Sequence, residues 1–142
     1  MTVKLILDEK GRDVVTAAGR ATLAEVVAVL SRRRIGAVVV VDEDGGIDGI
    51  LSERDVVRAL ASDGAEALHR PVSETMTSPV TVCSESHTID QVMEIMTNRR
   101  FRHLPVESGG RLAGIVSIGD VVRKRIETVE REAEEMKAYI AG

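Results

Sequence analysis

Two short segments of the sequence carry serine and aspartate at the same spacing. The first, GILSERDVVR, runs from Gly49 to Arg58, and the second, GIVSIGDVVR, runs from Gly114 to Arg123. In each, an aspartate follows a serine by three residues, where a predicted strand gives way to a predicted helix. We call them the first and second SxxD motifs.

The serine and the aspartate suit the recognition of a phosphate and a ribose. The first turn of a helix offers unpaired N–H groups and the positive end of the helix dipole, which favour an anion. The hydroxyls of Ser52 and Ser117 can donate to a phosphate oxygen. The carboxylates of Asp55 and Asp120 can accept two hydrogen bonds from a vicinal diol such as a ribose.

The same spacing also has a purely structural interpretation. Ser-x-x-Asp resembles a capping box, in which the serine caps the helix and the acid caps back, and taken alone it favours that role. A cap, however, does not require the preceding glycines, Gly49 and Gly114, which leave room for a ligand near the backbone. Both interpretations therefore stay open from spacing alone.

A longer duplication surrounds the two motifs. Residues 66 positions apart correspond in the first part of each unit, as Thr22 does to Thr88, and after a glycine-containing turn the offset becomes 65. Each threonine is a predicted N-cap, followed by apolar residues at helical spacing and then by two β-branched strands. The order in each unit is β-α-β-β-α.

This duplication predicts an α+β (mixed α/β) fold. Neither unit is large enough to bury a sizeable core alone, so we expect the two βαββα units to pack as a pseudo-twofold pair. The predicted organisation is a first repeat over 10–62, a linker over 63–75, a second repeat over 76–126 and a C-terminal amphipathic helix over 127–142. The apolar stripe of that helix is expected to pack against a partner copy or against its own domain.

Composition narrows the classes of function. The chain has 142 residues, 44% of them apolar, a net charge of -4, and one Phe, one Tyr and no Trp, which argues against nucleic-acid binding. The single cysteine, Cys83, fits a reducing compartment, and no apolar run is long enough to span a membrane. These features predict a cytoplasmic protein.

The motifs sit in a longer pattern that resembles a known family, the tandem CBS domain or Bateman module. The segment from Met76 to Val122, with its RHLPV and SIGDVV stretches, is similar to a near-complete second CBS repeat, and Lys10 to Leu60 matches the first more loosely. The whole chain is most similar to stand-alone bacterial CBS-pair proteins and their plant organellar relatives.

The resemblance implies a ligand and its binding residues. It implies binding of an adenine nucleotide, AMP first, with ATP, ADP, NAD and S-adenosylmethionine as alternatives, in clefts between the repeats. It places Asp120 and Asp55 at the ribose and Ser117 and Ser52 near the phosphate. The basic pair before LPV, Arg102 and His103, also matches the family's phosphate contacts.

The remaining candidate residues follow from the same resemblance. The first repeat has Gly36 and Ala37 where the second has its basic pair, so the two sites are unequal and the second motif is favoured. Arg54 suits either a phosphate contact or a surface ion pair. Adenine is expected near Thr16 and Val82.

These observations together predict a non-enzymatic sensor without a catalytic cofactor or metal. It is expected to form a homodimer through its CBS faces and C-terminal helix, and to signal to a target that the sequence does not name. The alternatives are an NAD(H)-binding or redox-responsive variant and a structural dimerisation module without ligand. An enzyme is disfavoured because no acid, base and nucleophile converge, and Cys83 with His87 lacks further ligands at metal spacing.

Overall fold

The computed structural model describes residues 1–141, and this part of the chain holds five α-helices and five strands. The elements, numbered in chain order, are α1 (Val3–Lys10), β1 (Thr16–Ala18), α2 (Leu23–Arg33), β2 (Ala37–Val41), β3 (Ile47–Ser52), α3 (Glu53–Asp63), α4 (Ile89–Arg99), β4 (His103–Ser108), β5 (Arg111–Ser117) and α5 (Ile118–Ala141). The mixed α/β fold predicted from the duplication is confirmed, together with the C-terminal helix.

The first repeat follows the predicted order β1-α2-β2-β3-α3. Helix α2 begins after Thr22, whose side chain accepts the Glu25 N–H while the Glu25 carboxylate accepts the Thr22 N–H. Strand β1 pairs in parallel with β2, and β2 pairs antiparallel with β3. Because β2 lies in the middle of this three-stranded sheet, its residues Val38, Val39 and Val40 are fully buried.

In the described residues, the second repeat keeps this plan except that its first strand is missing. Thr88 and Gln91 form the capping box of α4, and β4 pairs antiparallel with β5. The apolar stretch at 80–82 forms no strand; a single parallel bridge joins Cys83 to Val106 instead. After this bridge the Ser84 N–H donates to the His87 ring rather than to a neighbouring strand, so the backbone leaves the sheet.

Each repeat has its own hydrophobic cluster, and helix α1 completes the second. Val3, Ile6 and Leu7 of α1 are buried in the cluster that contains Val92 and Leu104. The sequence interpretation placed no helix here, although the spacing of these apolar residues at i, i+3 and i+4 is helical. The second repeat therefore depends on residues from the beginning of the chain.

The segment predicted as a linker is largely ordered into two short 3₁₀ helices, Gly64–His69 and Val72–Glu74. Val72 is fully buried against the first repeat's cluster. Just beyond it, Thr77 exchanges two backbone hydrogen bonds with Ile50 of β3, at 3.1 and 2.9 Å. The entry to the second repeat is thereby fixed to the end of the first.

Helix α5 is continuous, so the last helix of the second repeat and the C-terminal helix are one element. Near the beginning of α5, Val121 and Lys124 are buried. Lys124 forms ion pairs with Glu9 of α1 and with Glu127. The predicted apolar stripe, by contrast, is exposed, with Ile126 at 52% and Val129 at 49%. The prediction that this stripe packs against its own domain is therefore wrong. Across residues 1–141, each helix is too short or too polar to traverse a bilayer.

Candidate functional site

Both SxxD motifs form capping boxes at the starts of α3 and α5. The Ser52 N–H donates to Asp55 Oδ2 at 2.9 Å, and the Asp55 N–H donates back to Ser52 Oγ at 3.4 Å. In the second motif the corresponding distances are 2.9 Å, from Ser117 to Asp120 Oδ2, and 3.1 Å for the return bond. The capping interpretation is confirmed for both motifs, and it fixes each carboxylate at the first turn of a helix.

The two aspartates differ in their further partners. Asp55 is buried, and its Oδ1 accepts a hydrogen bond of 3.1 Å from the Thr77 hydroxyl, at the entry to the second repeat. Asp120 Oδ2 instead accepts a charged hydrogen bond of 2.7 Å from Lys10, at the end of α1. The aspartate of the motif therefore accepts its long-range hydrogen bond from a neutral donor in one repeat and from a cation in the other.

The first motif opens into a cavity with a volume of about 740 Å³. This volume falls in the range of small-molecule sites. Its walls come from both repeats, which meet here where the Thr77 hydroxyl donates to Asp55 and the His103 ring lies beside Gly36. The lining residues are Gly36, Ile50, Ser52, Glu53, Arg54, Asp55, Arg58, Thr77, Arg99, Arg100, Phe101, Arg102, His103, Ser117 and Ile118.

Positive charge dominates the rim of this cavity. Five of the lining residues are arginines, against two acids, Glu53 and Asp55. Within residues 1–141, only Arg58 among these arginines forms an ion pair, at 3.9 Å from Asp55. Unpaired cations gathered around one cleft repel each other and concentrate anions there, so the site favours a negatively charged ligand. A chain of net charge -4 thus has a local basic site.

The structure brings together six of the predicted site residues in this cavity: Ser52, Arg54, Asp55, Arg102, His103 and Ser117. The sequence grouped Arg102 and His103 with the second motif, because they belong to the same repeat. In the folded chain they also line the cavity of the first motif, where the His103 ring lies 3.2 Å from an ideal Cβ position at Gly36. His103 still pairs with Ser117 of the second motif.

The other predicted site residues lie outside the cavity. Asp120 lines a separate space of about 200 Å³ beside Lys10. Gly49 is covered by Met76 and Thr77, and Gly114 is covered by Leu7. Thr16 is exposed on a different surface beside Asp42 and Asp48. Val82 is half-buried and does not line this cavity.

Ionisation of His103 and Asp120 responds to burial and to nearby charge. Burial lowers the pKa of His103 and the positive charge of Lys10 adds to this, so the ring is neutral at pH 7 in the unliganded chain. Burial alone raises the pKa of Asp120, but hydrogen bonds from Lys10 and from the Ser117 backbone outweigh it, and the net pKa is lowered. Asp120 is therefore held as a carboxylate against the Lys10 ammonium.

The single cysteine, Cys83, does not line the cavity of the first motif. Cys83 is buried, and burial raises the pKa of its thiol to about 11, so it is protonated and poorly nucleophilic at neutral pH. His87, its predicted companion, accepts a hydrogen bond of 2.9 Å from the Ser84 backbone through Nδ1. Residues 1–141 contain no group of three or more His, Cys, Asp or Glu side chains placed to hold a metal ion.

Several lining residues escaped the sequence interpretation. Thr77 had no local signal, because its role depends on contact with a carboxylate 22 residues earlier in the chain. Arg99 and Arg100 received no assignment, because arginines at the end of a helix commonly complement the helix dipole in solvent. Their position next to Phe101 and Arg102 was the available signal, since the αL conformation of Arg100 ends α4 and turns this run toward the cleft.

Solved structures share this fold over most of the chain. A CBS-domain containing protein, ATU1752 from Agrobacterium tumefaciens, is 54% identical, with a TM-score of 0.85 over 88% of this chain and 99% of its own. The CBS domain pair of protein MJ0100, solved with 5-methylthioadenosine and S-adenosylmethionine, is 27% identical. Its TM-score is 0.80 over 90% of this chain and 98% of its own.

Curated proteins with similar sequences point to the same family. The CBS domain-containing protein CBSX3, mitochondrial, of Arabidopsis thaliana is 34% identical over 126 residues, which are 85% of this chain and 61% of that protein. Among the first curated relatives that it matches, the chain spans from 33% to 72% of their length. The family model of the CBS domain matches residues 10–62 and 72–127. With two copies of the domain in tandem, the chain belongs to the CBS domain family.

Proposed function

We propose that this chain is a non-enzymatic regulatory module that binds an adenine nucleotide, AMP first, in the cavity of the first SxxD motif. The observation that best supports the proposal is the cavity itself. Its five arginines come from both repeats and surround Ser52 and Asp55, the residues that cap α3. A phosphate group has the negative charge that complements these arginines, and it accepts charge-assisted hydrogen bonds from them.

The lining residues divide into groups that suit the parts of a nucleotide. The exposed guanidinium groups of Arg54 and Arg102 suit the phosphate. Asp55 suits the ribose, because each carboxylate oxygen has two acceptor positions and Oδ1 has only the Thr77 hydroxyl as a close donor. Apolar surface from Ile50 and Ile118 suits the base.

The arginines also rank the ligand candidates. MJ0100 was solved with 5-methylthioadenosine and S-adenosylmethionine, which contain adenosine but no phosphate. S-adenosylmethionine carries a sulfonium cation, which five neighbouring arginines disfavour. AMP, ADP, ATP and NAD keep the adenosine and add negative charge. We therefore place these phosphate-bearing ligands ahead of S-adenosylmethionine.

The regulatory part of the proposal needs two conformations with different affinities for the nucleotide. A ligand held by residues of both repeats favours the arrangement in which the repeats are closed on it. We propose that a partner protein reads this arrangement, that the chain acts as a homodimer, and that it works in the cytoplasm. The buried, protonated thiol of Cys83 argues against the redox-responsive alternative.

Calorimetric titration of the chain with AMP, ADP, ATP, NAD, NADH and S-adenosylmethionine tests the proposal. We expect binding of phosphate-bearing ligands. Arg54→Gln and Arg102→Gln should each weaken it about tenfold or more, because a charge-assisted hydrogen bond contributes about 1.5–3 kcal/mol. Arg111→Gln, at the exposed start of β5 outside the cavity, is the matched control. Absence of binding to all six ligands, or equal weakening by Arg111→Gln, would contradict the proposal.

A further inference from the structure

Lys10 occupies the polar groups of the second SxxD motif. Its Nζ donates to Asp120 Oδ2 at 2.7 Å and to the backbone carbonyl of Ile115 at 2.9 Å. These are an aspartate and a strand-end carbonyl of the kind that a ligand would meet at the start of α5. The Asp120 side chain is 13% exposed, close to the 8% of Asp55, so the difference between the two motifs is the ammonium at Asp120 and not the degree of burial.

Helix α1, which carries Lys10, is a fixed part of the second repeat. The Val3 N–H donates to the His87 carbonyl at 2.9 Å, and the Lys4 N–H donates to the Glu85 carbonyl at 3.0 Å. Leu7, in the middle of α1, is fully buried and lies over Gly114, with two of its methyl carbons 2.9 Å from an ideal Cβ position there. Displacing α1 would break these hydrogen bonds and expose Leu7, so its displacement by a nucleotide would cost substantial free energy.

The space left beside Asp120 is small and already paired. Its volume is about 200 Å³, against about 740 Å³ at the first motif. Within the described residues, Lys124 in its wall is paired with Glu9 and Glu127. A volume below about 300 Å³ is smaller than ordinary small-molecule sites. In the repeat correspondence Lys10 is matched by Met76, so the first motif has no such cation.

We infer that the second SxxD motif is an internal docking site for α1, with the Lys10 ammonium as its ligand, and that each chain therefore binds one nucleotide. The inference rests on the proposed function for the first motif, and it assigns the second motif a different task. The two aspartates have diverged in use: Asp55 recognises an external ligand, and Asp120 holds α1 against the second repeat, while Ser117 and Ile118 still line the cavity of the first motif.

Stoichiometry distinguishes one site from two. We expect titration calorimetry of the wild type to give one nucleotide per chain, and Asp55→Asn, which keeps a residue able to cap α3, to remove measurable binding. Two nucleotides per chain, or a single site surviving in Asp55→Asn, would overturn the inference and leave nucleotide binding itself established. A wild type that binds no nucleotide would overturn the proposed function, and with it the one-nucleotide stoichiometry.

A double-mutant cycle on unfolding temperature tests the docking contact directly, without nucleotide. We expect Lys10→Met and Asp120→Asn each to lower the unfolding temperature by about 2–5 °C and the double variant to lower it no further than either one. Lys4→Met, on the exposed side of the same helix, is the matched control and should change it by less than about 1 °C. Strictly additive effects of Lys10→Met and Asp120→Asn would overturn the docking role.

Discussion

Gly49 and Gly114 hold corresponding places in the two motifs but meet different neighbours. A Cβ at Gly49 would lie 2.8 Å from the backbone oxygen of Thr77 and 2.6 Å from the Met76 sulfur, whereas the nearest atoms to one at Gly114 are two side-chain carbons of Leu7, at 2.9 Å. A side-chain end can move, but the Thr77 backbone is held by its bonds to Ile50. Gly49→Ala should therefore destabilise the chain more than Gly114→Ala does.

Urea unfolding monitored by circular dichroism measures this difference. We expect a loss of about 2–3 kcal/mol for Gly49→Ala, typical of overpacking against atoms that cannot shift, and about 1 kcal/mol for Gly114→Ala. Equal losses, or a larger loss for Gly114→Ala, would show that the Thr77 backbone gives way as readily as Leu7. The pair shares its residue type, its motif and its substitution, so each variant controls for the other.

At the level of single residues, the sequence predicts the capping partners but not the distant ones. Ser and Asp three positions apart can form a cap whatever surrounds them, so the interactions within each motif were predictable. Thr77 and Lys10, which distinguish the two aspartates, lie 22 and 110 residues from their partners. Nothing in the local pattern around either residue indicates which carboxylate it reaches, because tertiary packing determines that.

The exposed apolar stripe of α5 is the clearest unpaired feature among the described helices. Ile126, Val129 and Met136 are about half exposed or more, although they occupy one face of the helix. Burying such a face against the same face of a second copy would remove apolar surface from water in both chains. We therefore expect the dimer to form through this stripe.

The double variant Ile126→Ser/Val129→Ser tests this contact by light scattering. We expect the mass to fall from dimer to monomer while circular dichroism keeps its folded signature, since both side chains lie outside the described core. Arg131→Ser/Glu135→Ser changes the opposite face of the same helix and should leave the dimer intact. A dimer that survives the first double variant, or that is lost equally in both, would exclude the stripe as the specific contact.

At the level of elements, long periodic segments were predicted and short ones were not. Helices α2 and α4 have capping residues and an apolar face over three turns, so propensity, cap and pattern agree. Helix α1 has only eight residues, and its burial depends on the distant second repeat. The stretch at 80–82 has β-branched residues but only the bridge at Cys83 to pair with, because strand formation depends on a partner as well as on propensity.

At the scale of the whole molecule, the duplication predicts two similar repeats but not which residues face each other across them. Arg102 belongs to the second repeat in sequence and to the first motif's cavity in space. The exchange of backbone hydrogen bonds between Ile50 and Thr77 holds the repeats in this arrangement. Assigning a binding residue to a motif by its repeat therefore fails wherever the cleft lies between repeats.

A ligand bound in a cleft between the repeats would couple the opening motions of the two repeats. Ser52 and Asp55 come from the first repeat, and Arg102 and His103 come from the second. Nucleotide at about 100 times its dissociation constant adds about 2.7 kcal/mol to the free energy of unfolding. A ligand bound as proposed would contact both repeats, so neither could open fully without releasing it.

Hydrogen exchange with and without nucleotide measures this coupling. We expect amides of β2 in the first repeat and of β4 in the second to slow together, by about the same factor. Amides beyond Glu132 in the exposed end of α5 serve as the internal control, and they should not change in a chain whose dimer is already formed. Slowing confined to the first repeat would mean that Arg102 and His103 do not hold the ligand, and that the repeats do not respond to occupancy as one unit.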